Sequence, residues 1–420
     1  MTITSLLKPC LTSACCFLFL YLSFTSHAFS SDSVYFQLPN VSLSPNDLGL
    51  IVNTNDPLSI KIANYYQQKR KIPSQNRIEI AISSNNTNIH VDDFLTLKKE
   101  IDRRTLPRIQ AYAITWAAPY RVDCMSITSA IAMGYDVTFC RRPSCRKDQT
   151  QSYFNSLSQQ PFNDFGLRPT MAIAATTFHA AKSLIDRGIK ADYHFPNKTA
   201  YLLNTSDKHR NVRAIQYPKI LETLNPWLTI KQINQDAIEH KKDVLFYFTG
   251  TVHVPFLESL TFIPGAMADH LTSTGGKLTN SRQMSSLRWL EAGATGSYGT
   301  VVEPCNFPQK FPIPLIAMSH YLRGETLIEA YWKSVMWPRE GIFIGDPLAT
   351  PYAGYQMQIQ GDRIELKTHA LDSGRYRILS SESILGPFRP ENQVIVAKEG
   401  QSTFSIAHLG ARVYAFRLVR

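Results

Sequence analysis

Leu48-Gly-Leu-Ile-Val52 is a short apolar run that stops at Asn53-Thr-Asn-Asp56, and Pro57 opens a segment in which Leu58, Ile62, Tyr65 and Tyr66 recur at helical spacing. An apolar run of that length reads as a buried strand, the Asx-rich stop as a capped turn, and Pro57 occupies a first-turn position that a helix tolerates. Outward from this unit the same rhythm continues. A strand is expected over Arg77 to Ile82, a helix over Val91 to Arg104 and a strand over Ile109 to Trp116. Met171 to Thr176, Phe178 to Arg187, Tyr201 to Leu203, a helix after Arg210, and Val244 to Phe248 extend it. Strands alternating with helices of ten or more residues predict an α/β fold, a mostly parallel sheet flanked by helices on both faces.

Beyond Tyr352 the period changes. Gln356-Met-Gln-Ile-Gln360, Arg363-Ile-Glu-Leu-Lys367, Tyr376-Arg-Ile-Leu379, Gln393-Val-Ile-Val396 and Val413-Tyr-Ala-Phe-Arg-Leu418 are alternating runs separated by Gly, Asp and Pro. They predict a small C-terminal antiparallel β-sandwich. The chain thus divides into a first α/β region over 29–200, a second over 201–352 and a β domain over 353–420. Residues 124–165 hold three cysteines and no sustained period, and read as a long insertion over the sheet.

The amino terminus reads as an export signal. Lys8 lies ahead of an apolar stretch from Leu11 to Phe24, and Ser26-His27-Ala28 puts small residues where a signal peptidase needs them, so residues 1–28 are expected to be removed. The apolar run is shorter than the ~20 residues that span a bilayer, and no later segment approaches about 18 uninterrupted apolar residues. The expected product is periplasmic or secreted, with no integral membrane segment. Cleavage leaves Cys124, Cys140, Cys145 and Cys305, an even number that in an oxidising compartment predicts two disulfides with three possible pairings. Net charge is +11, spread along the chain. Export argues against a nucleic-acid partner; an envelope polymer or an envelope protein is the expected one. No cofactor is implied.

Ligands of parallel sheets bind beyond the carboxyl ends of strands, which draws attention to Asn53–Asp56, Ala117–Asp123, Thr249–His253 and Glu303–Cys305. Trp289-Leu-Glu-Ala-Gly-Ala-Thr295, Gly299-Thr-Val-Val-Glu-Pro304 and Gly345-Asp-Pro-Leu348, with Tyr65-Tyr66 and Ile72-Pro73, resemble an uncharacterised family of exported bacterial proteins, and that resemblance covers nearly the whole mature chain. A looser likeness runs to gingipain-type cysteine peptidases of the caspase-like clan. It implies a caspase/gingipain-like core in which Val244–His253 stands for the histidine strand and Ala292–Thr300 for a later Gly-Ala strand. The strand that should end in the nucleophilic cysteine is Thr261–His270, which ends Ala268-Asp269-His270 and carries no cysteine.

Two readings follow. In the first, the standard nucleophile is missing and the protein is a binding or envelope-associated one. In the second it is a hydrolase, with Cys305 as nucleophile and His253 as base, or with a metal held by Asp269, His270 and Glu303. Other roles stay open at this point. Thr272-Ser-Thr-Gly-Gly276 is a loop whose amides could hold an anion, and Asp346 either fixes the bend at Pro347 or does acid–base work.

Overall fold

A computed structural model describes residues 35–38, 42–82, 86–143, 145–225, 228–360, 363–368, 370–371, 373–382, 386–398, 402–407 and 415–420. The expected signal segment, 1–28, lies outside the described residues. Ten strands form one sheet: β1 (Leu48–Asn53), β2 (Arg77–Ile80), β3 (Ala111–Ile114), β4 (Thr170–Ala172), β5 (Thr199–Leu203), β6 (Thr229–Ile233), β7 (Val244–Gly250), β8 (Phe262–Leu271), β9 (Gly296–Thr300) and β10 (Gly341–Gly345). Their order across the sheet is β6-β5-β7-β8-β9-β10-β4-β3-β1-β2.

Ten strands in a row make nine joins, eight of them parallel. All pairings are parallel except β9 with β10, whose antiparallel register sets Gly296 opposite Gly345 and Thr300 opposite Gly341. The sheet is therefore two parallel blocks of five strands that run in opposite directions. Strand carboxyl ends of one block, at Asn53, Ile114 and Gly345, lie on the opposite edge from those of the other, at Gly250, Leu271 and Thr300. Glycine at the junction has a steric reason: a Cβ on Gly341 would come within 1.8 Å of the Tyr298 hydroxyl, and one on Gly296 within 2.6 Å of Leu327.

The opening unit folds as its residues dictate. Every residue of β1 is buried, as expected of a strand covered on both faces. Asp56 accepts the Leu58 amide at 2.9 Å as N-cap of α1 (Pro57–Arg70), and Lys71 in the left-handed region ends that helix. Other covering helices include α2 (Val91–Arg104), α3 (Ile127–Met133), α4 (Phe178–Ala191), α5 (Tyr217–Leu224), α6 (Leu287–Ala292), α7 (Pro314–Leu322) and α8 (Leu327–Ser334). Residues 124–165, expected to be irregular, contain α3, which packs on β4 and β10. Its six consecutive buried residues, Ile127 to Ala132, give no amphipathic period to read.

The C-terminal strands alternate as expected, and two small sheets enclose their own core, with Tyr376, Ile378, Ile395, Phe404, Ile406, Phe416 and Leu418 among its members. One strand comes from the other end of the chain: Tyr35–Gln37 pairs in parallel with Ala415–Val419, and Phe36 stacks on Phe416 at 4.9 Å. Among the described residues no helix is long and apolar enough to cross a membrane.

Candidate functional site

The edge where β7, β8 and β9 end carries most of the residues singled out from sequence. Side chains alternate across a strand, so Asp269 and His270 at the end of β8 face opposite ways. Asp269 faces the main core. Its Oδ1 lies 2.6 Å from Nη2 of Arg213, both side chains being almost wholly out of solvent. Arg213 also donates to the carbonyls of Thr249 at 2.8 Å and Pro312 at 3.2 Å, and its guanidinium lies over the Phe248 ring. The Arg213–Asp269 contact has ion-pair distance without hydrogen-bond alignment, so the attraction is chiefly Coulombic. Burial pushes the Asp269 carboxyl up, and Arg213 opposes that.

His270 faces the second core, among Tyr247, Ala268 and Trp289. Trp289 Nε1 donates to its Nδ1 and its Nε2 meets the Met284 carbonyl, so both ring nitrogens are used and the proton sits on Nε2. Burial drives its pKa down to about 3. A ring so enclosed has no free lone pair to take a proton from a substrate.

Glu303 and Cys305 lie in the loop after β9. Together with His209, Arg210, Leu271, Thr272, Ser273, Pro304 and Asn306 they line a cleft of about 240 Å³ beyond the ends of β8 and β9. Glu303 is exposed, and its Oε1 accepts the Cys305 amide at 2.8 Å. Cys305 is bonded to Cys145, and Cys124 to Cys140, which selects one of the three pairings. As half of a disulfide, Cys305 offers no thiolate. His253 is exposed beyond β7 and is not part of the cleft wall. The nucleophile–base pair expected from sequence is thus not assembled in this oxidised form. Nor is the metal set: Asp269 and His270 are on opposite faces of β8, Glu303 is at the surface, and among the described residues no three His, Cys, Asp or Glu side chains are gathered as a metal site.

The Thr272–Gly276 loop is committed to packing. The Thr274 amide goes to Gln283 Oε1 at 2.8 Å and the Gly276 amide to the Thr300 carbonyl at 2.9 Å, and a Cβ on Gly276 would fall 2.6 Å from the Gly299 oxygen. The first of these amides is tied to Gln283 and the second to β9, so neither faces an anion. Asp346 is likewise structural. Its Oδ2 accepts from Arg70 Nε at 3.1 Å, and its Oδ1 accepts from the Tyr66 hydroxyl at 2.9 Å and the Leu348 amide at 3.2 Å.

Two side chains that the sequence reading passed over belong to the cleft, His209 and Arg210. Arg210 is half-buried; its Nη1 pairs with Asp207 at 3.0 Å and its Nε donates to Thr272 Oγ1 at 3.2 Å. The close seat of this segment explains Gly250 at the end of β7, where a Cβ would lie 2.0 Å from the Arg210 carbonyl oxygen. The available signal was Asp207-Lys-His-Arg210, a basic run just beyond the end of β5.

No family model matches this chain, and no curated protein does. A solved structure described as "Structure of Protease" aligns with 88% of this chain and 92% of its own at 10% identity, with a TM-score of 0.38, a likeness too slight to carry an argument about fold or activity.

Proposed function

We propose that this is an exported binding protein with a caspase/gingipain-like core, acting without a cysteine nucleophile, whose ligand site is the cleft between His209–Arg210 and Glu303–Asn306. The observation that carries the reading is the Cys145–Cys305 disulfide, which occupies Cys305, the cysteine on the cleft wall. His270 and Asp269 support it, since each is spent on a buried partner. Two disulfides suit an oxidising compartment outside the cytoplasm. The cleft has the usual place for a ligand in a parallel block, beyond the carboxyl ends of its strands. Arg210 and His209 set its preference, a carboxylate or phosphate group on an anionic envelope polymer, and the positive net charge, +11 for the full chain and one less without Lys8, favours the encounter.

Calorimetric titration of the oxidised mature protein with polygalacturonate, a carboxylated polysaccharide, against neutral dextran tests this. Binding to polygalacturonate alone, weakened about tenfold by Arg210→Ala (the ~1.4 kcal/mol of one charge-assisted contact), is expected. Equal binding of both polymers, or peptide hydrolysis by the oxidised protein, would overturn it.

A further inference from the structure

The two disulfides differ in their surroundings. Cys124 is buried and Cys140 half-exposed, whereas Cys145 is exposed and Cys305 half-exposed on the cleft wall, so only the second bond has a fully exposed partner. Cys145 and Cys305 also both take left-handed backbone, at φ 66° and φ 57°, a region that favours glycine over any side chain with a Cβ; Cys124 and Cys140 do not. The accessible bond is thus made between two residues in disfavoured conformations. Its two segments are also joined by other contacts. Glu340, buried, receives Lys310 Nζ at 2.5 Å, five residues after Cys305, and Arg146 Nη1 at 3.4 Å, next to Cys145. Arg339 reaches Asp136 at 3.3 Å and pairs with Asp148, and the Gln151 side chain donates to the Trp332 carbonyl at 2.9 Å. The gap that the disulfide spans is therefore bridged a second time by buried charge.

We infer that Cys145–Cys305 is a reversible thiol-exchange site, with Cys145 the sulfur attacked and Cys305 the sulfur released. A small thiol in its thiolate form attacks the exposed Cys145 Sγ. The Cys145–Cys305 bond breaks, a mixed disulfide forms on Cys145, and Cys305 leaves as a thiolate that takes the proton lost by the attacking thiol. Net, one thiol and one protein disulfide become one mixed disulfide and one protein thiol. A second thiol molecule can then attack the mixed disulfide, giving a Cys145 thiol and a small-molecule disulfide. Direction is set by access and by the leaving group. Cys305 departs into the cleft that holds Arg210 and His209, and a cation near a departing thiolate speeds the exchange. Glu303 on the same wall and Asp207, which pairs with Arg210 at 3.0 Å, oppose that effect, which makes Arg210 the side chain to test. This inference is independent of whether the cleft takes an anionic polymer.

Treating the oxidised full mature protein with reduced glutathione at neutral pH, quenching with acid, alkylating and mapping by peptide mass spectrometry tests it. Glutathione on Cys145 and the alkyl group on Cys305 are expected first, with Cys124–Cys140 intact and the circular dichroism unchanged. Arg210→Ala should slow release of Cys305 several-fold and leave the Cys124–Cys140 rate unmoved. Glutathione mainly on Cys305, opening of Cys124–Cys140 at an equal rate, or loss of the folded spectrum on exchange would each overturn the inference.

Discussion

Trp289 Nε1 donates to His270 Nδ1 at 2.9 Å while His270 Nε2 lies 3.1 Å from the Met284 carbonyl, so an indole and a backbone oxygen fix one neutral tautomer of a fully buried imidazole. Because burial lowers the folded pKa to about 3 against an ordinary 6.5, the unfolded chain binds the extra proton first as pH falls. The stabilising effect of the neutral ring is complete above pH 6.5 and is lost progressively toward about pH 3, on the order of a few kcal/mol in all. The difference in denaturant midpoint between wild type and His270→Gln should move against the wild type as pH falls from 7 to 4. An NMR titration showing the His270 ring protonating near pH 6.5 would contradict this.

Asp269 is expected to matter for folding more than for chemistry. Asp269→Ala leaves Arg213 as an uncompensated buried cation, which should destabilise by about 3–5 kcal/mol. Urea unfolding measures it. A well-folded Asp269→Ala protein of unchanged stability would show that the pair contributes nothing.

A glycine-to-alanine change inside a helix ordinarily stabilises by up to about 1 kcal/mol. Gly188 in α4 should do the reverse, because the added Cβ would lie 2.0 Å from Asp346 Oδ2 and displace the carboxylate that binds Arg70 and Tyr66. A loss of about 3 kcal/mol or more is expected for Gly188→Ala, the scale for breaking a buried ion pair. Gly134→Ala, at φ 85° with nothing within 4 Å, is a control for left-handed backbone strain without a clash.

Glu329 has the opposite pH sign from His270. Burial raises its carboxyl to about 7 despite Lys333, its Oε2 accepts from Thr326 and from the Leu43 amide, and its Oε1 has no partner. The folded state therefore holds a proton that the unfolded chain has lost, and stability declines as pH rises from about 4.5 to about 7. Glu329→Gln keeps an acceptor for those three donors and should flatten the decline between pH 5 and pH 8. The midpoint of the wild type relative to Glu329→Gln should therefore decline as pH rises from about 4.5 to about 7, and a difference that stays constant or grows over that interval would refute the assignment.

Much of the architecture was legible because its physics is local. Apolar runs such as Leu48–Val52 and Val244–Phe248 are strands wherever they lie, and the helix expected over Val91 to Arg104 has those bounds. Strand direction was not legible. Gly296-Ser-Tyr-Gly-Thr300 has the same composition whichever way its neighbour runs, and its antiparallel partner begins 41 residues after that strand ends, at Gly341. The strand Tyr35–Gln37 was missed for a related reason, since its partner is at the far end of the chain.

At the site, Glu303 and Cys305 stood out because they follow a strand. His209 and Arg210 did not, because they follow a different one and reach the cleft only once β5, β7 and β8 lie side by side. The fate of His270 depended on Trp289 and Met284, residues that nothing in the strand itself announces. Sequence left the cysteine pairing three ways open, although each of the three would bond Cys305.

The reversed junction of β9 and β10 has a consequence for what the molecule can hold. A sheet with all strands parallel gathers the loops that follow its strands along one rim, where anything bound to them competes for the same space. Here each block offers its own rim, one near Gly250 and Leu271 and the other near Ile114 and Gly345. An occupant of the first would leave the second open at the opposite end of the same sheet.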